Sequence, residues 1–412
     1  MKRARLSRCA LLACCVTIAA CSQTTGLSGV HYTPNGISVR ERSATPLAYG
    51  VLYNFMAPPD GNYPVAGLID VNGTLYSTTA GGGADCGTSS SYCGTVYSIT
   101  TSGQEKVLHS FGKGADGGDP SASLIDVKGT LYGTTVADGA HQAGTVFSIT
   151  TGGTEKVLYS FSGTTDGYAP YGTLIDVKGT LYGTTSGGGS HGDGTVFRIT
   201  TGGKEKVLHS FAGGSDGESP SAGLTDVSGT LYGTTDGGGA YSDGTVFSIT
   251  TGGTEKVLHS FGKGTDGQFP RAGLTDVSGT LYGTTEEGGA YATCGYSGKT
   301  PCGTVFSITT GGTENVVHSF NARTDGDDPD GTLIDVNGTL YGTTSGGGAD
   351  GGGTFFSITT GGTVTVLHDF GKAPDGAYPR GSLVDVKGTL YGITQNGGPH
   401  DNNYGTVFSI TP

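Results

Sequence analysis

The sequence predicts an all-β protein, a seven-bladed β-propeller of four-stranded antiparallel blades, closed by an N-terminal strand that completes the last blade. A unit of about 50 residues recurs seven times, which is typical of a repeat architecture. Each unit holds four short β-type runs separated by Gly-rich turns, and the runs are apolar on both faces. The copies begin at Val51, Val107, Val157, Val207, Val257, Val316 and Val366.

The four strands are clearest in the copy that begins at Val107. They are predicted at residues 106–111, 123–127, 130–135 and 145–150. The two-residue turn Lys128-Gly129 joins the second and third of these runs, and its counterpart Asn72-Gly73 is a strong hairpin signal. Adjacent apolar residues such as Leu131 and Tyr132 point to opposite faces of a strand. Because both faces are apolar, each sheet is predicted to lie between two neighbouring sheets, as in a radial stack of blades.

The order of the runs predicts how the ring closes. From the channel outward, the strands of a blade are expected to read LIDV, TLYGTT, TVFSIT and KVLHSF. The repeats begin with an outermost strand at 49–55 and end with a third strand at 406–411. The last blade therefore lacks its outer strand, and the N-terminal strand is predicted to supply it.

The N-terminal segment is predicted to be a lipoprotein signal peptide over residues 1–20. A basic start is followed by an apolar run from Cys9 to Ala20, which is too short to span a bilayer. The motif Ile18-Ala19-Ala20-Cys21 resembles the bacterial lipobox, so Cys21 is the predicted lipidation site; ordinary signal cleavage beside an incidental cysteine is the alternative. Residues 21–47 are predicted to be a flexible tether and 48–412 the propeller. We expect an exported, membrane-anchored lipoprotein, periplasmic or at the cell surface.

Four cysteines remain after the signal and Cys21, and they form two close pairs in repeats 1 and 5. In an exported protein such pairs predict disulfides, Cys86–Cys93 and Cys294–Cys302. Zinc binding is the alternative, but the spacing lacks a CxxC motif or a nearby histidine cluster.

The charge balance limits the classes of partner. The formal net charge is −13, and it falls to −17 without the four basic residues of the signal. An acidic chain without a basic patch argues against nucleic acid, whose phosphates need Lys and Arg. It also argues against electrostatic binding to an anionic bilayer, so membrane contact is expected only through the N-terminal lipid. We expect a monomer.

The repeated motifs GTVFSITTGGTEKVLHSF and DGxxPxAGLxDVxGTLYGTT resemble the GloVer tandem repeat of bacterial surface proteins. The resemblance covers residues 49–412 and recurs in all seven copies. It implies a secreted or surface-anchored repeat protein, and it brings no catalytic residues that could be transferred to this chain.

Two sets of polar residues recur in the copies and are predicted to be structural. An aspartate precedes the tight turn after each LxDV run, and we expect it to accept hydrogen bonds from that turn; a carboxylate ring that holds a cation is the alternative. In the outer strand, His occupies one position in five copies and Tyr in two, which favours packing with a polar tip over a metal site. The aspartates are Asp70, Asp126, Asp176, Asp226, Asp276, Asp335 and Asp385, and the outer-strand residues are Tyr53, His109, Tyr159, His209, His259, His318 and His368.

The copies differ mainly in two loops that open on one face of a propeller with this strand order. One carries the frame Asp-Gly-x-x-Pro, and the other joins the second and third strands. The side chains around each proline are expected to surround the channel mouth, where aromatic and charged groups suit a sugar or peptide. The alternative is that these surface loops vary without function. The candidate binding residues are Tyr63, Asp119, Tyr168, Tyr171, Glu218, Phe269, Arg271, Asp328, Asp330, Tyr378 and Arg380.

The sequence therefore predicts a non-enzymatic propeller that binds a glycan or a protein ligand. One alternative is a polysaccharide hydrolase or lyase with Glu218, Asp119 and Asp328 in acid/base roles, and another is a structural spacer of the envelope. No cofactor and no specific metal site are predicted, since no known catalytic or metal motif is present. The Asp-rich segment 325–330 is compatible with weak Ca²⁺ binding.

Overall fold

The computed structural model of the protein describes residues 30–33, 36–39, 47–56, 58–84, 93–291, 302–397 and 404–412. The chain divides into two units, Met1–Arg40 and Glu41–Pro412. The described part of the first unit is an antiparallel pair of strands, Val30–Thr33 and Gly36–Val39, within the segment that was expected to be a tether without regular structure. The signal segment and Cys21 lie outside the described residues, so the lipidation of Cys21 stays a prediction.

The second unit is all-β and forms the predicted seven-bladed propeller of four-stranded antiparallel blades. In blades 1 to 4, from the channel outward, the strands are Ile69–Val71, Thr74–Thr79, Thr95–Thr100 and Glu105–Ser110; Ile125–Val127, Thr130–Thr135, Thr145–Thr150 and Glu155–Ser160; Ile175–Val177, Thr180–Thr185, Thr195–Thr200 and Glu205–Ser210; Thr225–Val227, Thr230–Thr235, Thr245–Thr250 and Glu255–Ser260. In blades 5 to 7 they are Thr275–Val277, Thr280–Thr285, Thr304–Thr309 and Glu314–Ser319; Ile334–Val336, Thr339–Thr344, Thr354–Thr359 and Val364–Asp369; Gly376–Val386, Thr389–Gly397, Thr406–Thr411 and Ala48–Asn54.

Two smaller elements of regular structure lie in the loops. The short strands Gly61–Asn62 and Gly81–Gly82 pair with each other, and Gly214–Asp216 forms one turn of 3₁₀-helix. Among the residues described, no helix has the length and apolar character needed to cross a membrane.

Ring closure is as the sequence predicts. Ala48–Asn54 pairs antiparallel with Thr406–Thr411 as the outermost strand of blade 7. The innermost strands of neighbouring blades contact one another around the whole ring, including the contact between blade 7 and blade 1. In blades 1 to 6 the innermost strands are shorter than predicted, with three residues each. A carbonyl just after the proline accepts a hydrogen bond from a threonine of the preceding blade instead, as Ala122 does from Thr78. Blade 7 differs in that one continuous strand, Gly376–Val386, runs past the proline with an irregular register. In blades 1 to 6 the pairing before the proline is limited to a short pair or an isolated bridge.

The core consists of seven apolar clusters, each between two neighbouring blades. In one of them, Tyr132 and Val146 of blade 2 pack with Leu181 and Phe197 of blade 3. The phenylalanine after each outer strand lies against an aromatic ring of the next blade, as Phe161 does against Phe197 at 5.1 Å between ring centroids. Each blade therefore buries both faces, which explains why its strands are apolar on both sides.

Candidate binding site at the channel mouth

The upper face of the propeller is the face on which two sets of loops open. One set, the DGP loops, runs from the outer strand of one blade through Asp-Gly-x-x-Pro to the inner strand of the next. The other set, the 2–3 loops, joins the second and third strands of a blade. The lower face carries the tight turns between strands 1 and 2 and between strands 3 and 4.

The DGP loops are fixed by contacts between blades. The residue before each proline has a left-handed backbone, with φ between 52° and 57°, in all seven copies. Its N–H donates to a carbonyl of the preceding blade, as in the 3.0 Å bond from Ala169 to Ala143. Such a backbone costs roughly 1–3 kcal/mol for a non-glycine residue and persists only where its surroundings hold it. The residues that follow are therefore presented at defined positions.

A glycine of the preceding blade makes room for each proline. Gly144 has φ +93°, and a Cβ placed there would lie 2.8 Å from Cδ of Pro170 and would also meet the carbonyl oxygen of Thr135. The equivalent contact between Gly405 and Pro64 occurs at the junction of blade 7 with blade 1. The Asp-Gly-x-x-Pro frame is therefore an inter-blade connection as well as a turn.

The side chains after the prolines surround a cavity of about 340 Å³ at the upper end of the channel, here called the mouth cavity. In blade order they are Val65, Ser121, Tyr171, Ser221, Arg271, Asp330 and Arg380. Four of the candidate residues, Tyr171, Arg271, Asp330 and Arg380, thus line one cavity. Deeper in the channel, a second cavity of about 320 Å³ is lined by residues of the inner strands, including Ile69, Ile125 and Ile175.

The charged residues of the mouth are concentrated on blades 4 to 7. Arg271 Nε lies 2.8 Å from Asp236 Oδ1, and its Nη1 lies 2.5 Å from Glu286 Oε2. Arg380 Nη1 lies 2.6 Å from Asp330 Oδ2, and its Nε donates to Gln395 at 2.9 Å. We call Glu286, Asp328 and Asp330 the acidic sector.

Burial and the crowding of carboxylates raise the pKa values of the acidic sector. Burial, together with the negative charges of Asp327, Glu286 and Asp330, raises the pKa of Asp328 to about 7. Burial also raises the pKa of Asp330, although Arg380 opposes that effect. For Glu286, burial again raises the pKa while Arg271 lowers it. These carboxyls therefore compete for charge compensation, and Asp328, whose pKa is near neutral pH, lies two residues before the cavity-lining Asp330.

The remaining candidates lie on the upper face outside the lining of the mouth cavity. Tyr63, Tyr168 and Tyr378 are exposed, whereas Phe269 is half-buried. Tyr168 lies over Gly187, where any side chain would collide with its ring. The three carboxylates that were considered for acid/base catalysis are not adjacent, since Asp119, Glu218 and Asp328 belong to blades 2, 4 and 6. Burial raises the pKa of Asp119, which accepts a 2.5 Å hydrogen bond from Ser121.

The large exposed apolar side chains, like the candidate binding residues, lie on the upper face. Within the described ranges they lie on the DGP loops or 2–3 loops, so they all belong to the upper face, and six of the seven are tyrosines that are 44–48% exposed. They are Met56, Tyr63, Tyr168, Tyr171, Tyr241, Tyr291 and Tyr378. Tyr241 and Tyr291, on the 2–3 loops, were not among the candidates.

The seven LxDV aspartates cap their own turns, as predicted. In every copy the carboxylate accepts a hydrogen bond from the glycine N–H three residues later, at 2.8–2.9 Å. Asp126, for example, accepts from Gly129 at 2.8 Å. The turn residues Lys128 and Gly129 both have positive φ, which is the type I′ geometry of a two-residue hairpin.

The outer-strand His and Tyr residues have a partner that the sequence reasoning missed. In all seven copies the ring bonds to the aspartate of the following DGP loop, seven residues later, at 2.7–3.2 Å. His209 Nε2 and Asp216 Oδ2 are an example, 3.1 Å apart. The sequence did contain a signal for this hydrogen bond, because an Asp follows the outer-strand His or Tyr by seven residues in every copy.

A glutamate of the next blade joins five of these pairs. For His209, Asp216 and Glu255, one donor atom of each lies within 4.8 Å of the others, the single such metal-ligand cluster in the part of the chain that the structure describes. Tyr replaces His in two otherwise equivalent groups, Tyr53–Asp60–Glu105 and Tyr159–Asp166–Glu205. A tyrosine can replace histidine as a hydrogen-bond donor, so a structural hydrogen bond explains the repeated arrangement. The Asp-rich segment 325–330 forms no comparable donor cluster among the described residues.

The predicted disulfides involve two residues outside the described ranges, Cys86 and Cys294, so both pairings stay predictions. Their partners Cys93 and Cys302 are buried immediately before the third strands of blades 1 and 5.

Comparisons with known proteins agree with the fold. The model of the Gloeobacter/Verrucomicrobia repeat family matches residues 86–296 and 290–412. The chain belongs to this repeat family. No curated protein matches it in sequence.

Solved structures resemble the chain at low sequence identity. A europium-containing methanol dehydrogenase is 10% identical over 88% of this chain and 93% of its own, with a TM-score of 0.52. A gluconolactonase from Xanthomonas campestris is 15% identical over 68% of this chain and 82% of its own, with a TM-score of 0.40. At these identities the likeness concerns the fold alone, and fold does not determine activity.

Proposed function

We propose that this propeller is a binding module for a glycan, which it holds on its upper face with the mouth cavity at the centre. The observation that carries the proposal is the one-sided distribution of exposed tyrosines. A tyrosine ring offers an apolar surface and a polar hydroxyl at low cost in conformational entropy. The C–H faces of sugar rings pack on such surfaces while their hydroxyls bond to nearby polar groups.

The spacing of these tyrosines favours a ligand with repeating units. Tyr63, Tyr168, Tyr241, Tyr291 and Tyr378 lie on the loops of five different blades. A protein interface usually has a contiguous apolar core surrounded by a polar rim. Here separated aromatic rings lie on loops around a small cavity instead, which suits successive sugar rings better than one apolar patch.

The enzymatic alternative has one supporting observation. Burial and neighbouring carboxylates raise the pKa of Asp328 to about 7, which would suit a general acid near neutral pH. A hydrolase acting through the carboxylates chosen from the sequence is less well supported, because Asp119 and Glu218 lie on other blades. An envelope spacer would not require exposed tyrosines on one face.

A glycan array probed with residues 22–412 tests the proposal. We expect selective binding that weakens in Tyr171→Ala and Arg271→Ala, which alter the mouth cavity, and not in Lys178→Ala on the lower face. Binding that neither mouth variant changes would refute the site, and turnover of a bound polysaccharide would establish an enzyme instead. We also propose attachment to the membrane through Cys21; retention of a lipid label after Cys21→Ser would contradict it.

A further inference from the structure

We infer that the ligand carries a positively charged amino group and that the acidic sector of the mouth receives it, so that the glycan contains an amino sugar without its acetyl group. This inference rests on the proposed function and narrows its substrate class. It is carried by the ion pairs of the mouth, by buried polar atoms without partners, and by the neutral wall opposite.

The two arginines of the mouth are already compensated. Arg271 lies between Asp236 and Glu286, and Arg380 bonds to both Asp330 and Gln395. An anionic sugar would have to compete with these carboxylates, which bind at 2.5–2.8 Å. The charge of the arginines is therefore already largely compensated, which disfavours an anion site of the kind that their presence in the sequence suggests.

Negative charge remains in excess after these pairs are formed. The groups that act on the Asp328 carboxyl, namely Asp327, Glu286, Asp330 and Glu287, are all acidic. Mutual repulsion of this kind is relieved when a cation enters the site. An ammonium group would provide that charge and three hydrogen-bond donors.

Buried polar atoms without partners occur beside the same sector. In blades 1 to 4, a threonine of the second strand donates to a carbonyl of the next blade, as Thr134 does to Pro170 at 2.8 Å. The equivalent hydroxyls of Thr284 and Thr343, in blades 5 and 6, have no hydrogen-bond partner among the described residues, although these residues are only 1% and 3% exposed.

Asp330 adds a hydrogen-bond acceptor on the same two blades as Thr284 and Thr343. Within the part of the chain that the structure describes, its Oδ1 is buried without a hydrogen-bond partner; the residue lines the mouth cavity and its side chain is only 12% exposed. In blades 1, 3 and 4 the threonine's acceptor is the carbonyl of the residue two after the proline, so by equivalence the Thr284 hydroxyl belongs beside Gly331, the residue after Asp330. Unsatisfied polar groups are costly in a folded protein and usually mark a bound water, ion or ligand. Three such atoms lie on blades 5 and 6, where the charges of the mouth also lie, and a fourth, Ser221 Oγ, lies on the wall opposite.

The opposite wall of the cavity is neutral. Val65, Ser121, Tyr171 and Ser221 come from the first four blades. A sugar ring against Tyr171 could place an amino substituent toward Asp330 across the cavity, whose volume of about 340 Å³ lies near the small end of the usual range for ligand pockets.

Paired oligosaccharides test the inference directly. Glucosamine oligomers and their fully N-acetylated counterparts share a backbone and differ in the charge of the amino group. By isothermal titration calorimetry at pH 6, we expect the amine form to bind at least about tenfold more tightly, because a charge-assisted hydrogen bond contributes roughly 1.5–3 kcal/mol. Added salt should reduce this difference.

Matched variants assign the effect to residues. Asp330→Asn and Asp328→Asn should each remove most of the preference for the amine, because a bound ammonium favours the ionised form of both carboxyls. Asp138→Asn, the same substitution elsewhere on the upper face, should preserve it. Thermal melting identifies a variant that fails to fold, and Asp328→Asn retains the Arg380–Asp330 pair if Asp330→Asn does not fold.

The outcomes separate the two proposals. Equal binding of both oligomers, dependent on Tyr171, would overturn the inference and leave the glycan-binding proposal standing. Binding of polygalacturonate that is lost in Arg271→Ala would also overturn the inference. Binding of a lysine-rich peptide, without binding of any glycan, would overturn the proposed function.

Discussion

Phe55 is the residue through which the N-terminal strand secures the ring, and Phe55→Ala tests that role. The side chain is 3% exposed and packs in the cluster between blades 7 and 1, with its ring centroid 5.2 Å from that of Tyr97. Truncation of a buried phenylalanine costs roughly 3–5 kcal/mol. At about 2.1 cal/mol/K per residue, the unfolding entropy of a domain of this size is roughly 0.8 kcal/mol/K, so Tm should fall by about 4–6 °C.

Differential scanning calorimetry measures this shift against two controls. Met56→Ala changes the next residue, which is 54% exposed, and should move Tm by less than about 1 °C. Phe161→Ala removes the equivalent ring in the cluster between blades 2 and 3 and should match Phe55→Ala. A Phe55→Ala protein that melts like Met56→Ala would refute closure by the N-terminal strand.

Three further substitutions test local features. Burial and the negative charge of Asp166 together raise the pKa of Glu205 to about 7, so the folded state keeps a proton that the unfolded chain loses above about pH 4.5, and stability falls as pH rises from about 4.5 through 7. Glu205→Gln should match wild type in urea midpoint at about pH 4 and exceed it at pH 8, and equal midpoints at pH 8 would contradict this. Gly144→Ala should lower stability in urea by about 2 kcal/mol or more, through backbone strain and a clash with Pro170, whereas Gly129→Ala, with open space around it, should cost only about 1 kcal/mol; similar losses would argue against the inter-blade contact. Asp176→Ala should cost about 0.5–1.5 kcal/mol in the same assay by removing the acceptor of the Gly179 N–H, and a neutral result would show that the cap is dispensable.

The fold could be predicted from the sequence because every blade has the same pattern of turns and apolar strands. Tight turns such as Lys128-Gly129, two-sided apolar strands and the position of the first and last strands together specify four strands per blade and closure at 48–54. The inner strands were predicted too long because the segment after the proline resembles a strand in composition, and the inter-blade hydrogen bonds that replace pairing cannot be read from one repeat.

The site could be predicted only in part. The rule that residues after the prolines surround the channel gave Tyr171, Arg271, Asp330 and Arg380. The ion pair between Arg380 and Asp330 joins positions 50 apart, one repeat length, and so could have been inferred once the ring was accepted. The high pKa of Asp328 could not, because it depends on burial and on carboxylates from two loops.

Footprinting of the ligand-bound protein tests the central claim most directly. Hydroxyl-radical labelling with mass spectrometry, with and without the tightest-binding array glycan, reports the protection of individual side chains. We predict protection of upper-face tyrosines, with Tyr171 strongest, and unchanged labelling at the lower-face turns around Lys128 and Lys178. Protection at those lower turns, with the tyrosines still labelled, would contradict the account.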